Sequence, residues 1–137
     1  MAILIDSNIL VAYTNRRDVR HPAARQLIDQ IASKRPIVVM PVLVEVFYFA
    51  VLHAGYLPAV DMFALVLASF DIETLTHDDM LRMQHIMRHY KDAQFDFADA
   101  AIMAVSERLG IARIATFDRR DFTVYRPVHV THYELLP

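Results

Sequence analysis

Ala2 to Ile5 is a short apolar run that ends at Asp6-Ser7-Asn8, the pattern of a buried strand running into a polar turn with a helix after it. His21-Pro22 then opens a segment in which Ala23, Ala24, Leu27, Ile28 and Ile31 recur at helical spacing, with proline in the first turn where its missing N–H is harmless. Ile37 to Met40 reads as a second buried strand closed by Pro41, and Val42 to Ala54 as a nearly all-apolar helix stopped by Gly55. Another helix is expected from Pro58 to Ser69, and a strand from Asp71 to Leu75. Thr76 or His77 begins a helix whose Met80, Met83 and Met87 form one stripe, expected to face the core. Asp96 starts a helix that runs to Leu109 and is stopped by Gly110. Ile111 to Thr116 is again a strand, followed by the polar turn Phe117 to Asp121, and a last short strand is expected near Val128 to Val130. Strands alternating with helices predict a three-layer α/β/α sandwich with a mostly parallel central sheet and right-handed crossovers. No linker or repeat divides residues 1–137, so one domain is expected.

Composition changes this picture in two ways. Hydrophobic residues make up 55% of the 137, which is ample for a core and hints at apolar surface buried against a partner. The formal net charge is −2, so no global basic field marks a nucleic-acid binder and any such function must be local. The chain has no cysteine, which removes disulfides, thiolate catalysis and Cys-type zinc sites. Met1 to Asp6 lacks the basic start of a signal peptide, and runs such as Val46 to Leu52 are far below the ~18 residues that span a bilayer. A cytoplasmic protein with no membrane association is expected.

The candidate chemistry lies in the carboxylates. In open parallel sheets, ligands bind beyond the carboxyl ends of the strands. Asp6 follows the first strand directly and Asp118 follows the Ile111 to Thr116 strand by one residue, although either acid alone also serves as a helix cap. Glu45 is the only Asp, Glu, Lys or Arg between Ile37 and Gly55, set inside an apolar helix. A carboxylate there reaches solvent or is held by a cation, because burying it unpaired costs several kcal/mol. Asp96 and Asp99 stand three apart at a helix start and share a face. Asp96 reads as cap or ligand, and Asp99 as a first-turn acid or a ligand. If three or four of these acids meet within ~5 Å, each like-charged pair costs about 3 kcal/mol at an effective dielectric of 20. Protonation or a divalent ion must then relieve the repulsion. An oxygen-only donor set favours magnesium or manganese over zinc, and such a site suits phosphodiester cleavage by an activated water.

Four segments together resemble the PIN-domain nucleases, and within them the VapC-like toxins of bacterial toxin–antitoxin pairs. They are Ile3-Leu4-Ile5-Asp6-Ser7-Asn8, the isolated Glu45, Asp96-Phe97-Ala98-Asp99-Ala100-Ala101-Ile102, and Thr116-Phe117-Asp118-Arg119-Arg120-Asp121-Phe122. The resemblance covers nearly the whole chain. It implies a magnesium- or manganese-dependent endoribonuclease whose acidic metal site is Asp6, Glu45, Asp99 and Asp118, with Asn8 and Thr116 in support. It also implies an RNA substrate, a cognate antitoxin and a homodimer, for which the apolar Val42 to Ser69 helices are the expected interface.

Other signals are weaker. Arg113, Arg119 and Arg120 surround the last acidic turn and are candidates for RNA phosphates, as is the cluster Arg16, Arg17 and Arg20; solvated surface arginines read equally well. Asp121 is expected to shape its turn. His85 and His89 have metal-ligand spacing but no third ligand, so they are read as surface histidines. With only Gly55 and Gly110, a glycine-rich phosphate loop is excluded. Two rivals remain. An aspartate-based phosphatase or phosphotransferase also places an Asp after the first strand, but Asp6-Ser7-Asn8 lacks a second acid two residues on, and Lys34 and Lys91 are badly placed. A non-catalytic PIN-like domain that binds only RNA or protein would have lost some of the four acids, yet all are present.

Overall fold

β1 (Ile3–Ile5) is wholly buried and forms the centre of a five-stranded sheet in the order β3-β2-β1-β4-β5, where β2 is Ile37–Val39, β3 Asp71–Glu73, β4 Arg113–Ala115 and β5 Glu134–Leu136. The computed structural model describes all 137 residues. Every strand pairing is parallel, so the sheet is entirely parallel where a mostly parallel one is expected. Leu4 sits opposite Ile37 on one side and Ile114 on the other, and all three belong to or pack on the same apolar core. Continuous apolar runs suit such strands because both sheet faces are covered by helices.

Seven helices connect the strands: α1 (Ser7–Thr14), α2 (His21–Ile31), α3 (Met40–Ala54), α4 (Tyr56–Ser69), α5 (His77–His89), α6 (Phe97–Leu109) and α7 (Arg119–Val124). α1 packs on α2 and α3, α3 on α4, and α5 along α6. α6 is the most deeply buried, with Ala100 to Ser106 all enclosed, and its run of alanines lets it approach its neighbours closely. No helix is long and apolar enough to cross a membrane.

Three details differ from expectation. Pro41 does not close β2; it lies in the first turn of α3, where a missing N–H is tolerated, so the helix begins at Met40. Val128 to Val130 is not a strand. Val128 is 74% exposed, and the fifth strand is instead Glu134–Leu136, whose Leu135 and Leu136 register against Ile114 and Ala115. Met80 is exposed, because the buried stripe of α5 runs through Asp79, Met83 and Ile86; of the expected methionine stripe, Met83 is buried and Met87 packs against the core. Asp79 occupies the inward position as part of a capping box with Thr76, and Arg108 of α6 pairs with it at 2.9 Å.

The helices α3 and α4 leave apolar surface uncovered: Val44, Tyr48, Leu52, Tyr56, Leu57 and Leu67 are each more than half exposed. The sheet centre, by contrast, has no slack. Leu4→Ala is expected to lower the unfolding free energy by about 3 kcal/mol in urea titration, since a fully buried leucine loses both its transfer energy and its packing.

Candidate active site

Because all five strands are parallel, the residues that follow them collect at one edge, and the polar cluster of the chain is built there. Asp6 leaves β1 as the N-cap of α1, its Oδ1 accepting from the Ser7 backbone N–H at 2.7 Å. It is 4% exposed. Its Oδ2 accepts from the Thr116 hydroxyl at 2.7 Å and from the Asn8 side-chain amide at 3.3 Å. Each oxygen therefore carries one short hydrogen bond and keeps lone-pair capacity for a further partner.

Ser7 carries the network toward Glu45: its Oγ donates to Glu45 Oε1 at 2.7 Å and lies 3.5 Å from Asp6 Oδ1. Thr116 carries it toward Asp118, whose backbone N–H donates to Thr116 Oγ1 at 3.0 Å. Asn8 ties the two strand ends together, accepting from the Phe117 N–H at 3.0 Å. Asp118 is itself the N-cap of α7, through Arg120 N–H at 3.2 Å, and lies exposed at the rim. Thus Asp6, Asn8, Glu45, Thr116 and Asp118 are joined by one hydrogen-bonded frame drawn from three separate regions of the sequence.

The other wall is the start of α6. Asp96 is its N-cap, accepting from the Asp99 N–H at 2.8 Å, and Asp99 projects from the first turn toward Asp6. Burial first, then repulsion from Asp6 and Asp96 and a hydrogen bond with Asp121, push the Asp99 carboxyl up to about 9. Burial likewise raises Asp6 to about 6 against the lowering effect of the Thr116 and Ser7 hydrogen bonds, with Asp96 and Glu45 adding repulsion. The Asp121 carboxyl is the neighbour whose hydrogen bond helps hold Asp99 up. Asp121, expected only to shape its turn, thereby joins the cluster; it lies one helical turn after Asp118, the spacing that puts both on one face of α7.

No arginine or lysine forms an ion pair with Asp6, Glu45, Asp96, Asp99 or Asp118. Nor are three of the acids gathered tightly enough to be a finished coordination cage. The arrangement is an open cluster of carboxylate oxygens with uncompensated charge, a donor set that fits a hard divalent cation such as magnesium or manganese.

Arg119 and Arg120 stand on the rim, donating to the Pro137 carbonyl at 3.0 Å and to Asp121 at 3.4 Å. Arg113 is not brought to the site: it begins β4, at the far end of the strand from Thr116, and is paired with Glu134 at 2.9 Å. The rings of His85 and His89 stack on exposed α5 with centroids 6.4 Å apart, and no third ligand joins them. An apolar cleft of about 550 Å³ runs alongside the acids, with Glu45 in its wall beside Val44, Tyr48, Leu75 and Phe97.

Comparison with known proteins places this geometry. A family profile described as PIN domain matches residues 3–126. Ribonuclease VapC26 of Mycobacterium tuberculosis is 27% identical, over 98% of this chain and 100% of that protein. Among solved structures, M. tuberculosis VapC20, described as a sarcin-ricin loop cleaving toxin, is similar with a TM-score of 0.77 at 24% identity, covering 93% of this chain and 98% of its own. A chain of VapBC2 from Rickettsia felis, solved on a DNA fragment from its promoter, is similar with a TM-score of 0.76 at 13% identity over 100% of both chains.

With both Asp6 and Asp99 raised above the ordinary carboxylate value of 3.8, the folded state binds protons more tightly than the unfolded one. The cation-free chain is therefore expected to lose stability as pH climbs from about 4 toward 9. Asp99→Asn is expected to flatten that fall and to stabilise the cation-free chain at pH 8 by about 1 kcal/mol or more, read by urea titration in EDTA.

Proposed function

This chain belongs to the PIN-domain family, and from that premise we propose that it is a metal-dependent endoribonuclease acting as the toxin of a toxin–antitoxin pair. The observation that carries the proposal is the placing of Asp6, Glu45 and Asp99 at one sheet edge, none of them in an ion pair, with Asp118 at the rim of the same hydrogen-bonded frame. The curated relative is a ribonuclease, and the solved neighbours are toxins or toxin–antitoxin complexes, which supports RNA as substrate and an antitoxin as partner.

Asp6, Glu45, Asp99 and Asp118 would hold one or two magnesium or manganese ions. A bound ion of this kind polarises the scissile phosphate, activates water and stabilises the leaving oxygen. The rest is the work of the chain. The Thr116 hydroxyl, the Asn8 amide and the Ser7 N–H fix the Asp6 carboxylate, while Ser7 Oγ fixes Glu45, so neither acid needs to reorganise as charge develops. A bound cation would displace the proton that the raised Asp99 carboxyl holds, so binding is expected to tighten as pH rises. The anionic cluster repels a bare phosphodiester, so RNA productively approaches only the loaded site.

The uncovered apolar surface of α3 and α4 is the proposed contact for a second copy of the chain and for the antitoxin. With magnesium, purified chain is expected to cut single-stranded RNA internally. EDTA should abolish cleavage, and Asp99→Asn should reduce kcat/KM at least about 100-fold. Cleavage indifferent to both would refute the assignment.

A further inference from the structure

We propose that Arg20 is a pre-positioned phosphate clamp for RNA, held beside the acidic cluster by the ring of Phe117. The inference rests on the ribonuclease reading and adds to it a substrate-binding residue from the α1–α2 connection. The guanidinium carbon of Arg20 lies 4.7 Å from the centroid of the Phe117 ring. Phe117 stands between Thr116 and Asp118, and its backbone N–H is bonded to Asn8, so the ring is fixed to the frame that holds Asp6. Arg20 is consequently anchored over the same sheet edge as the carboxylates.

Its donors are unspent. The Arg20 side chain donates no hydrogen bond within the chain; its one ion pair, to Asp18, is long at 3.9 Å, and the side chain is 48% exposed. Other arginines nearby are committed, Arg119 to the Pro137 carbonyl and Arg120 to Asp121. A guanidinium seated over a ring keeps N–H donors for another partner, and its fork matches two oxygens of a phosphate. Stacking on the ring also removes part of the rotamer freedom that a free arginine loses on binding.

The need for such a group follows from the charge of the site. RNA must bring successive phosphates past a cluster of acids whose one ion pair is that of Arg120 with Asp121. Cations held by the acids would serve the scissile phosphate; a neighbouring phosphate requires its own positive partner, and Arg20 is the arginine seated on the Phe117 ring, between Thr116 and Asp118, with its side-chain hydrogen bonds unspent. It forms no ion pair with Asp118 or Asp6, so its charge remains available to a ligand.

The test uses the full chain with magnesium and a fluorescein-labelled single-stranded oligoribonucleotide. Binding is measured by anisotropy in the Asp99→Asn background between 50 and 200 mM salt, and cleavage in the wild-type background. Arg20→Ala is expected to weaken binding roughly tenfold and to reduce the slope of log K against log salt by about 0.7, the contribution of one phosphate on a single strand. Arg20→Lys should keep the slope while losing a few-fold in affinity, because an ammonium neither stacks nor forks. In cleavage, Arg20→Ala should raise KM with kcat little changed.

Wild-type chain that cuts RNA, with Arg20→Ala matching it in affinity, slope and KM, would overturn the clamp and leave the ribonuclease reading intact. A fall in kcat alone would also overturn it, assigning Arg20 to positioning of the acids through Phe117. Wild-type chain that neither binds nor cuts RNA would overturn the ribonuclease reading and the clamp with it. If Arg20→Ala changed antitoxin capture but no RNA measurement, the arginine would belong to the protein interface instead.

Discussion

Negative charge concentrated in a half-buried place, offset by a basic side chain only where Arg120 pairs with Asp121 at the rim, is the constraint around which this molecule is organised. Asp6 feels the charge of Asp96 and Glu45, Asp99 that of Asp6, Asp96 and Asp121, and Asp118 joins the frame at the rim through its backbone N–H. Neutral donors hold them in place: two hydroxyls, one side-chain amide and the N–H groups of three helix starts. Neutral donors orient a carboxylate without discharging it. The cluster therefore stays poised for positive charge, whether a proton or the divalent cation proposed above.

The fold makes this arrangement easy to build. A wholly parallel sheet sends every strand's carboxyl end the same way, so acids far apart in sequence need only follow a strand or open a helix to become neighbours. Asp6, Asp96 and Asp118 all cap helices through one oxygen, which leaves the other oxygen of each free of the cap. Rigidity comes from the core beneath, where β1 is wholly buried and α6 is enclosed from Ala100 to Ser106.

Much of this was legible in the sequence, for physical reasons that differ by residue. Glu45 stood out because a lone charge in an apolar helix demands a partner, and Asp6 and Asp118 because they follow apolar runs. The alternation of periods revealed the α/β class. What stayed hidden depends on tertiary placement. Arg113 is close to Asp118 in sequence, yet a strand separates them and puts the arginine at the opposite edge. Asp121 looked like a turn residue until α7 aligned it with Asp99. The contact of Arg20 with Phe117 joins distant segments and leaves no local pattern. The fifth strand was misplaced because Val128 to Val130 and Glu134 to Leu136 are equally short, and only pairing with β4 distinguishes them.

The central claim, that these carboxylates share a divalent cation, is tested most directly by crystals soaked in manganese and measured for anomalous scattering above the manganese edge. The account predicts a strong anomalous peak bounded by the carboxylates of Asp6 and Asp99. Manganese peaks only elsewhere on the molecule, or none at all in crystals with both side chains ordered, would contradict it.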